Sequence, residues 1–339
     1  MAGEAPRRRI AVVGAGAIGS LFGAFLTLAG EEVWLVNPPG PHLEIIRQQG
    51  LRVVPAGGAA VMGGEPVRVV RPRVSSDPAE VGAVDLVLIA VKAYRTREAV
   101  RWALPLLGPG TAVLTLQNGL GNAEAIEEAV GAGRVVVGVT SHGAGRPEPG
   151  LVVHAGAGPT VIGPWRGAPP AFAGEVAAVL RRAGIEVEVV GAAGVERALW
   201  TKLAVNAAIN GPGALLRVPN GALVESPSAR RLLRSAAREV AAVAGRRGTP
   251  VLDPDPAARA EAVARATGPN RCSMLQDVER GRPTEVEAIY GAVVAEAGRL
   301  GVPVPTCADL YLLIRALEET RPRQGPEGLQ AGGAPGTSA

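Results

Sequence analysis

The chain reads as a doubly wound α/β domain followed by an all-helical domain, and three observations carry that reading. Apolar strands alternate with helical segments over roughly the first 165 residues, which is the pattern of a parallel sheet covered on both faces. A Gly14-x-Gly16-x-x-Gly19 turn lies between the first strand and the first helix. From Gly194 onward the character changes, and the apolar positions fit helical spacing.

In chain order, residues 10–13 form the first strand, followed by the Gly-rich turn and a helix to residue 29. Residues 33–36 are the second strand. The runs at 84–91, 112–116 and 135–139 are short and largely apolar, as strands buried on both faces require. Residues 151–154 and 160–162, separated by Gly156 and Gly158, are expected to pair as an antiparallel hairpin. A helix at 172–183 and a strand at 186–190 on the edge of the sheet complete the first domain. Five helices follow at 196–209, 228–247, 255–266, 284–300 and 307–319, broken by punctuation such as Gly211-Pro212-Gly213. The expected domains are residues 1–193 and 194–320. Residues 321–339, rich in Gly, Pro and small residues, are expected to be a disordered tail.

A length of 339 residues allows two domains with sizeable cores. With 47% hydrophobic but only 3% aromatic residues, those cores are built from Ala, Val, Leu and Ile. No run of about 18 apolar residues escapes Gly, Pro or polar breaks, and the polar residues 1–9 lead into no signal-peptide pattern. A cytoplasmic protein that does not span a membrane is expected. Cys272 and Cys307 are too few and too far apart for a zinc cluster or a disulfide scaffold. His42, His142 and His154 show no metal-ligand spacing, so no metal is expected. The net charge of +4 fits an anionic small molecule. Dispersed arginines, few aromatics to stack bases and no basic tract longer than Arg7-Arg8-Arg9 argue against nucleic acid. The stripe Arg230, Arg234, Arg238 reads as a solvated helix face.

Lysine occurs only at Lys92 and Lys202, although Lys plus Arg number 35. Arginine replaces lysine wherever a solvated charge suffices, but its guanidinium cannot give up a proton near neutral pH. The two surviving lysines are therefore candidates for chemistry. Asparagine is also scarce, with seven in the chain, and Asn206 and Asn210 follow Lys202 at steps of four. Such steps place all three on one stripe of a helix whose other sides are almost wholly apolar. A buried ammonium or amide is costly unless answered, so the three either satisfy one another or face a ligand.

The Gly-rich turn has the context of a dinucleotide fingerprint. Its glycines let backbone N–H groups and a helix N-terminus approach a pyrophosphate, which nominates Gly14, Gly16, Ala17, Ile18 and Gly19 as cofactor contacts. The second strand ends Val36-Asn37-Pro38-Pro39. Without a carboxylate to repel a 2′-phosphate, NADP is favoured over NAD, although Asn37 can bond either ribose. Lys92 and Asn118 sit at the carboxyl ends of later strands, where open α/β sheets bind ligands.

The set Gly14-x-Gly16-Ala-Ile-Gly19, Val91-Lys92, Leu116-Gln-Asn-Gly119, Trp200-x-Lys-Leu-x-x-Asn-x-x-x-Asn210, Pro219-Asn-Gly221, Asn270-x-x-Ser-Met-Leu-Gln-Asp277 and Thr284-Glu285 resembles the 2-dehydropantoate 2-reductase, or ketopantoate reductase, family over roughly residues 8–320. The resemblance implies a Rossmann-type domain joined to a helical domain like that of 6-phosphogluconate dehydrogenase. It implies NADPH-dependent reduction of 2-dehydropantoate to (R)-pantoate in pantothenate biosynthesis. It makes Lys202 the general acid and Glu285 a carboxylate on the substrate hydroxyl. Asn206 and Asn210 would orient the substrate and Ser273 would hold its carboxylate. Asn118, Asn220 and Asn270 would complete the pocket, with Lys92 near the nicotinamide. A homodimer is compatible with the resemblance. The chain departs from the family at Pro38-Pro39, where an arginine often follows the second strand, and at Gly211-Pro212-Gly213, where members commonly have Pro and a polar residue.

The chemistry suits these residue types. Hydride attack on a ketone leaves negative charge on oxygen, so a positioned ammonium both stabilises the alkoxide and protonates it. Burial moves a lysine toward useful acidity. Two other readings compete: a reductase of another branched 2-oxo acid, and a non-catalytic NADP-binding sensor.

Overall fold

A computed structural model describes residues 7–55 and 67–320. The chain runs β1 (Arg9–Val13), α1 (Ala17–Leu28), β2 (Glu32–Val36), α2 (Pro41–Gln49) and β3 (Leu51–Pro55). Next come β4 (Arg68–Val70), β5 (Arg73–Ser75), α3 (Pro78–Val81), β6 (Val84–Ile89), α4 (Thr96–Trp102), β7 (Leu107–Thr115) and α5 (Asn122–Val130). The α/β part ends with β8 (Val135–Thr140), β9 (Gly143–Gly145), β10 (Leu151–Gly156), β11 (Thr160–Pro164), α6 (Pro170–Arg182) and β12 (Val187–Val189). Helices α7 (Ala192–Leu216), α8 (Ala222–Glu225), α9 (Pro227–Arg247), α10 (Pro256–Ala266) and α11 (Ser273–Glu279) follow. A π-helical turn at Glu287–Gly291 leads into α12 (Ala292–Leu300) and then α13 (Pro305–Glu319). The tail expected at 321–339 lies outside the described residues.

Eight strands form one sheet in the order β12-β11-β8-β7-β6-β1-β2-β5. From β5 to β8 every neighbour is parallel. The lack of polar alternation in these strands has a direct cause. Ile10 and Val12 enter the core on one face while Ala11 and Val13 enter the core on the other, and Leu86 and Leu88 alternate with Val87 and Ile89 in the same way. Successive side chains point to opposite faces, and both faces here are covered. The edge strand expected at 186–190 is present as β12, parallel to β11.

The expected hairpin of 151–154 with 160–162 does not form. β10 belongs to a second, four-stranded sheet, order β4-β3-β10-β9, in which it lies parallel to β3 and antiparallel to β9. β11 instead runs antiparallel to β8 in the large sheet. Gly156 and Gly158 permit a turn between two runs, but the partners of each run are chosen by the core faces they cover. The small sheet packs on α1, where Phe22 and Phe25 meet the rings of His142 and His154 edge-on. Those two histidines, unrelated by spacing in the sequence, are stacked with Nδ1 of His142 3.1 Å from Nε2 of His154.

The second domain packs helices around α7, which has a separate apolar core. Contrary to the expected break, α7 continues through Gly211-Pro212-Gly213. An internal proline removes one N–H and crowds the carbonyl four residues back. The buried Tyr290 repairs the opened turn: its hydroxyl donates to the Ala207 carbonyl at 2.5 Å and accepts from the Gly211 N–H at 2.9 Å. A regular helix would join that carbonyl and amide directly.

Candidate active site

β1 delivers the chain into the Gly-rich turn, and its glycines serve different ends. Gly14 has φ +103°, and a Cβ there would lie 2.9 Å from the backbone of Ala90 and Val91. At Gly19 a Cβ would be driven into the Gly14 carbonyl oxygen, so this glycine allows α1 to pack against the strand. Gly16 is different, because nothing lies closer than 3.9 Å to where its Cβ would be. It is also the N-cap of α1 and supplies no side-chain cap. That combination leaves a helix N-terminus with free amides and an open approach, which suits a pyrophosphate. Ala17 opens the helix and Ile18 packs against the core. Asn37, at the end of β2, accepts the Ala15 N–H at 3.2 Å through Oδ1.

From this turn a cleft of about 690 Å³ runs past Lys92 and Asn118 to Ser273 and Glu285 in the helical domain. Gln117 ties together the strand ends that carry Lys92 and Asn118. Its Nε2 donates to the Val91 carbonyl at 2.7 Å and to Thr96 Oγ1 at 2.8 Å.

The two lysines stand in opposite environments. Lys92 Nζ lies 2.6 Å from Asp277 Oδ2 and 3.6 Å from Glu285 Oε2. Burial works against its charge, but the two carboxylates outweigh burial and raise its pKa. Lys92 is thus a fixed cation that spans the two domains. Lys202 Nζ donates to the Thr140 carbonyl at the end of β8 at 2.9 Å. Burial is the main influence on this ammonium and lowers its pKa to about 8, while Glu285 acts in the opposite direction. Two like groups whose acidities are driven apart by their surroundings are an arrangement that can serve proton transfer.

Glu285 is buried, and its carboxylate accepts the Ala93 N–H at 3.0 Å. The carboxylate therefore crosses to the first domain rather than capping its own helix. Ser273 opens α11, but the N-cap of that helix is Cys272, whose Sγ accepts from Leu275 N–H. The Ser273 hydroxyl is left to the cleft it lines.

The polar stripe of α7 does not line this cleft directly. Asn206 is half-buried and Asn210 buried, and neither side chain makes a hydrogen bond among the described residues. The stripe meets the cleft through Glu285, which lines the cleft and acts on Lys202. Asn220 and Asn270 are not brought to the cleft. Asn220 N–H donates to the Asn270 carbonyl at 2.9 Å, and its Nδ2 donates to Thr267 Oγ1 at 2.9 Å. They fasten the loop before α8 to the loop before α11, and Asn270 is exposed. Reading for rare residues misses Asp277 and Thr140. Asp277 had one available signal, since it lies four residues after Ser273 and therefore on the same helix face. Thr140 contributes only a backbone carbonyl, for which no side-chain pattern exists.

Most of the chain is similar to known proteins. The family model described as ketopantoate reductase PanE/ApbA matches residues 10–167, and the model for the C-terminal part of that family matches residues 194–318. The 2-dehydropantoate 2-reductase of Halobacterium salinarum is 44% identical over 307 residues, covering 91% of this chain and 98% of that protein. Among solved structures, 2-dehydropantoate 2-reductase from Geobacter metallireducens aligns with TM-score 0.82 and 33% identity, covering 91% of this chain and 99% of that one. A ternary structure of D-mandelate dehydrogenase with NADH and anilino(oxo)acetate aligns with TM-score 0.84 and 28% identity, covering 92% and 99%. Two successive family models, full-length relatives and a shared fold agree: the chain belongs to the ketopantoate reductase family.

Proposed function

We propose that this chain reduces 2-dehydropantoate to (R)-pantoate with NADPH, in pantothenate biosynthesis, with Lys202 as the general acid. One observation carries the reading: Lys202 is anchored across the domain seam to the Thr140 carbonyl at 2.9 Å, where burial lowers its pKa to about 8 and the cleft-lining Glu285 acts on it. Residues 1–193 hold the cofactor and residues 194–320 supply the substrate site. The uncapped start of α1 and the open approach at Gly16 fit a pyrophosphate. Gly14, Gly16, Ala17, Ile18 and Gly19 would hold it, with Asn37 on the adenosine ribose. Lys92 and Asn118, at the ends of β6 and β7, would flank the nicotinamide. When bound there, NADPH would supply the hydride that reduces the ketone carbon. The Lys202 ammonium gives its proton to the former carbonyl oxygen, and the neutral amine recovers a proton from solvent.

The other residues orient the substrate. Ser273 and the fixed Lys92 cation offer a donor and a positive charge to the 2-oxo acid carboxylate. Glu285 accepts from the substrate hydroxyl, and Asn206 and Asn210, which share the stripe of Lys202 rather than the wall of the open cleft, would donate and accept without adding charge once the substrate reaches Lys202. Asn220 and Asn270 would act only indirectly, by joining the loop before α8 to the loop before α11. The site is that of a cytoplasmic enzyme, in keeping with the two buried free cysteines, Cys272 and Cys307, which suit a reducing compartment. A homodimer belongs to the same proposal and is tested by light scattering. Among the described residues no helix is long and apolar enough to cross a membrane.

A second reading, reduction of a different 2-oxo acid, is favoured by the close fold match to D-mandelate dehydrogenase. Apolar pockets separate substrates by a methylene only about 10- to 200-fold, so the assay must compare acids. NADPH absorbance is followed with 2-dehydropantoate, 2-ketoisovalerate and 2-ketoisocaproate. The highest kcat/KM is expected for 2-dehydropantoate. Preference for an acid lacking the 4-hydroxyl would select the second reading. A flat trace beside clear NADPH binding would mean a nucleotide sensor.

A further inference from the structure

The end of β2 leaves a 2′-phosphate without a cation. Val36-Asn37-Pro38-Pro39 carries no charge, and the Asn37 amide, bonded to the Ala15 N–H and the Pro38 carbonyl, offers a ribose neutral hydrogen bonds but no cation to a phosphate. A doubly negative phosphate beside that ribose needs positive charge from elsewhere in the cleft. Arg95 lines the cleft, but its guanidinium is committed to both oxygens of Glu98 at 2.9 and 3.1 Å.

Arg146 meets the need. It follows β9 in the small sheet, lines the cleft and is half-buried, yet it makes no hydrogen bond or ion pair among the described residues. Arg280 and Arg282 reach the same cleft from the helical domain. Burial first, and then repulsion from Arg282 and Arg280, lowers the Arg146 pKa. A guanidinium held in partial burial among like charges is stabilised when an anion joins it.

Its position along the cleft follows from His42, on the first turn of α2 just beyond Asn37. His42 lies near enough to Arg146 that the guanidinium adds to burial in lowering the imidazole pKa to about 4. The neutral ring accepts the Gly150 N–H at Nδ1, at 2.8 Å, so Nε2 bears the proton and donates to Ser20 Oγ at 3.0 Å. Ser20 Oγ in turn donates to the Ala15 carbonyl at 3.3 Å. This chain fixes the loop after Arg146 to the Gly-rich turn and to the start of α2. Arg146, four residues before Gly150 in this loop, thus enters the cleft on the side lined by Asn37, Pro38 and His42.

We propose that Arg146, supported by Arg280 and Arg282, binds the 2′-phosphate of NADPH and sets the preference for NADPH over NADH. The proposal rests on the cofactor reading above. It substitutes a guanidinium from the small sheet for the arginine that Pro38-Pro39 displaces.

Calorimetric titration with adenosine 2′,5′-bisphosphate and with 5′-AMP tests it without turnover. The wild-type chain is expected to bind the bisphosphate at least about tenfold more tightly than 5′-AMP. Arg146→Met should weaken the bisphosphate roughly 10- to 100-fold while 5′-AMP changes less than about threefold. Arg146→Lys keeps the charge but loses the fork, so it should fall between the two. It also guards against a folding defect in the methionine variant, which circular dichroism checks. Equal weakening of both ligands would assign Arg146 to the 5′-phosphate side and overturn the proposal. Unchanged affinity for both, or a wild type that does not distinguish them, would overturn it too. Failure of the underlying cofactor reading has its own signature, a wild type that binds neither NADPH nor NADH.

Discussion

At the residue scale, composition pointed to chemistry and partners stayed hidden. A chain that writes almost every cation as arginine displays its two lysines, and seven asparagines expose the stripe on α7. The ion pair that makes Lys92 a structural cation joins residues 185 apart in sequence, which no spacing rule reaches. The difference between the lysines yields two predictions. Lys202→Ala should fold and bind NADPH normally but lose about 100-fold or more in kcat; wild-type kcat would remove Lys202 from the mechanism. For pH, Lys202 must be protonated to act, and its pKa is lowered to about 8 by burial. In the reductive direction kcat/KM should stay level below about pH 8 and fall as pH rises through it. Glu285 holds that pKa up, so Glu285→Gln should move the break to lower pH. A break that stays in place would separate Glu285 electrostatically from Lys202.

At the element scale, strands and helices were legible wherever a periodic apolar pattern ended in turn residues. Element partnership was not, because β10 and β11 satisfy the same local hairpin signal and yet enter different sheets. The helix stop at Gly211-Pro212-Gly213 failed for a related reason. Proline in a helix interior costs about 3 kcal/mol or more, and Tyr290, seventy-nine positions after Gly211, offsets that cost. Tyr290 answers the Gly211 amide and the Ala207 carbonyl with one hydroxyl, and Gly211 leaves room for the ring, since a Cβ there would strike Tyr290 Oη. The helix that carries Lys202, Asn206 and Asn210 thus stays continuous by way of a π-helical segment of the same domain. Tyr290→Phe leaves both backbone groups buried and unanswered, and each such group costs about 1–3 kcal/mol. Denaturant unfolding should therefore show a loss of about 2–6 kcal/mol. A loss below about 0.5 kcal/mol would mean that the helix closes its own turn at Gly211.

At the scale of the whole molecule, the candidate site is a fit between two domains, and the sequence nominated residues for it without showing how closely the domains meet. The contacts run through Lys92 to Asp277 and Glu285, through the Ala93 N–H to Glu285, and through Lys202 to the Thr140 carbonyl. Beside them, the Leu120 N–H donates to the Ala288 carbonyl at 2.9 Å. Gly119 stands at this seam with φ +82°, and a Cβ there would lie 2.5 Å from the Ala288 carbonyl oxygen. In the sequence, Asn118-Gly119 can be read as turn chemistry alone; in the fold the glycine also sets how near the helical domain approaches. Gly119→Ala should push Ala288, and with it Glu285 three residues earlier, away from the strand ends. The Gly-rich turn would be untouched, so NADPH affinity should change by less than about threefold while kcat/KM falls about 10- to 100-fold, the scale on which small misplacements act. Titration of NADPH and steady-state kinetics on the same preparation separate the two effects. Parallel losses in both would mean that the substitution damages the α/β domain itself, and unchanged kinetics would mean that catalysis tolerates a looser seam than these contacts imply.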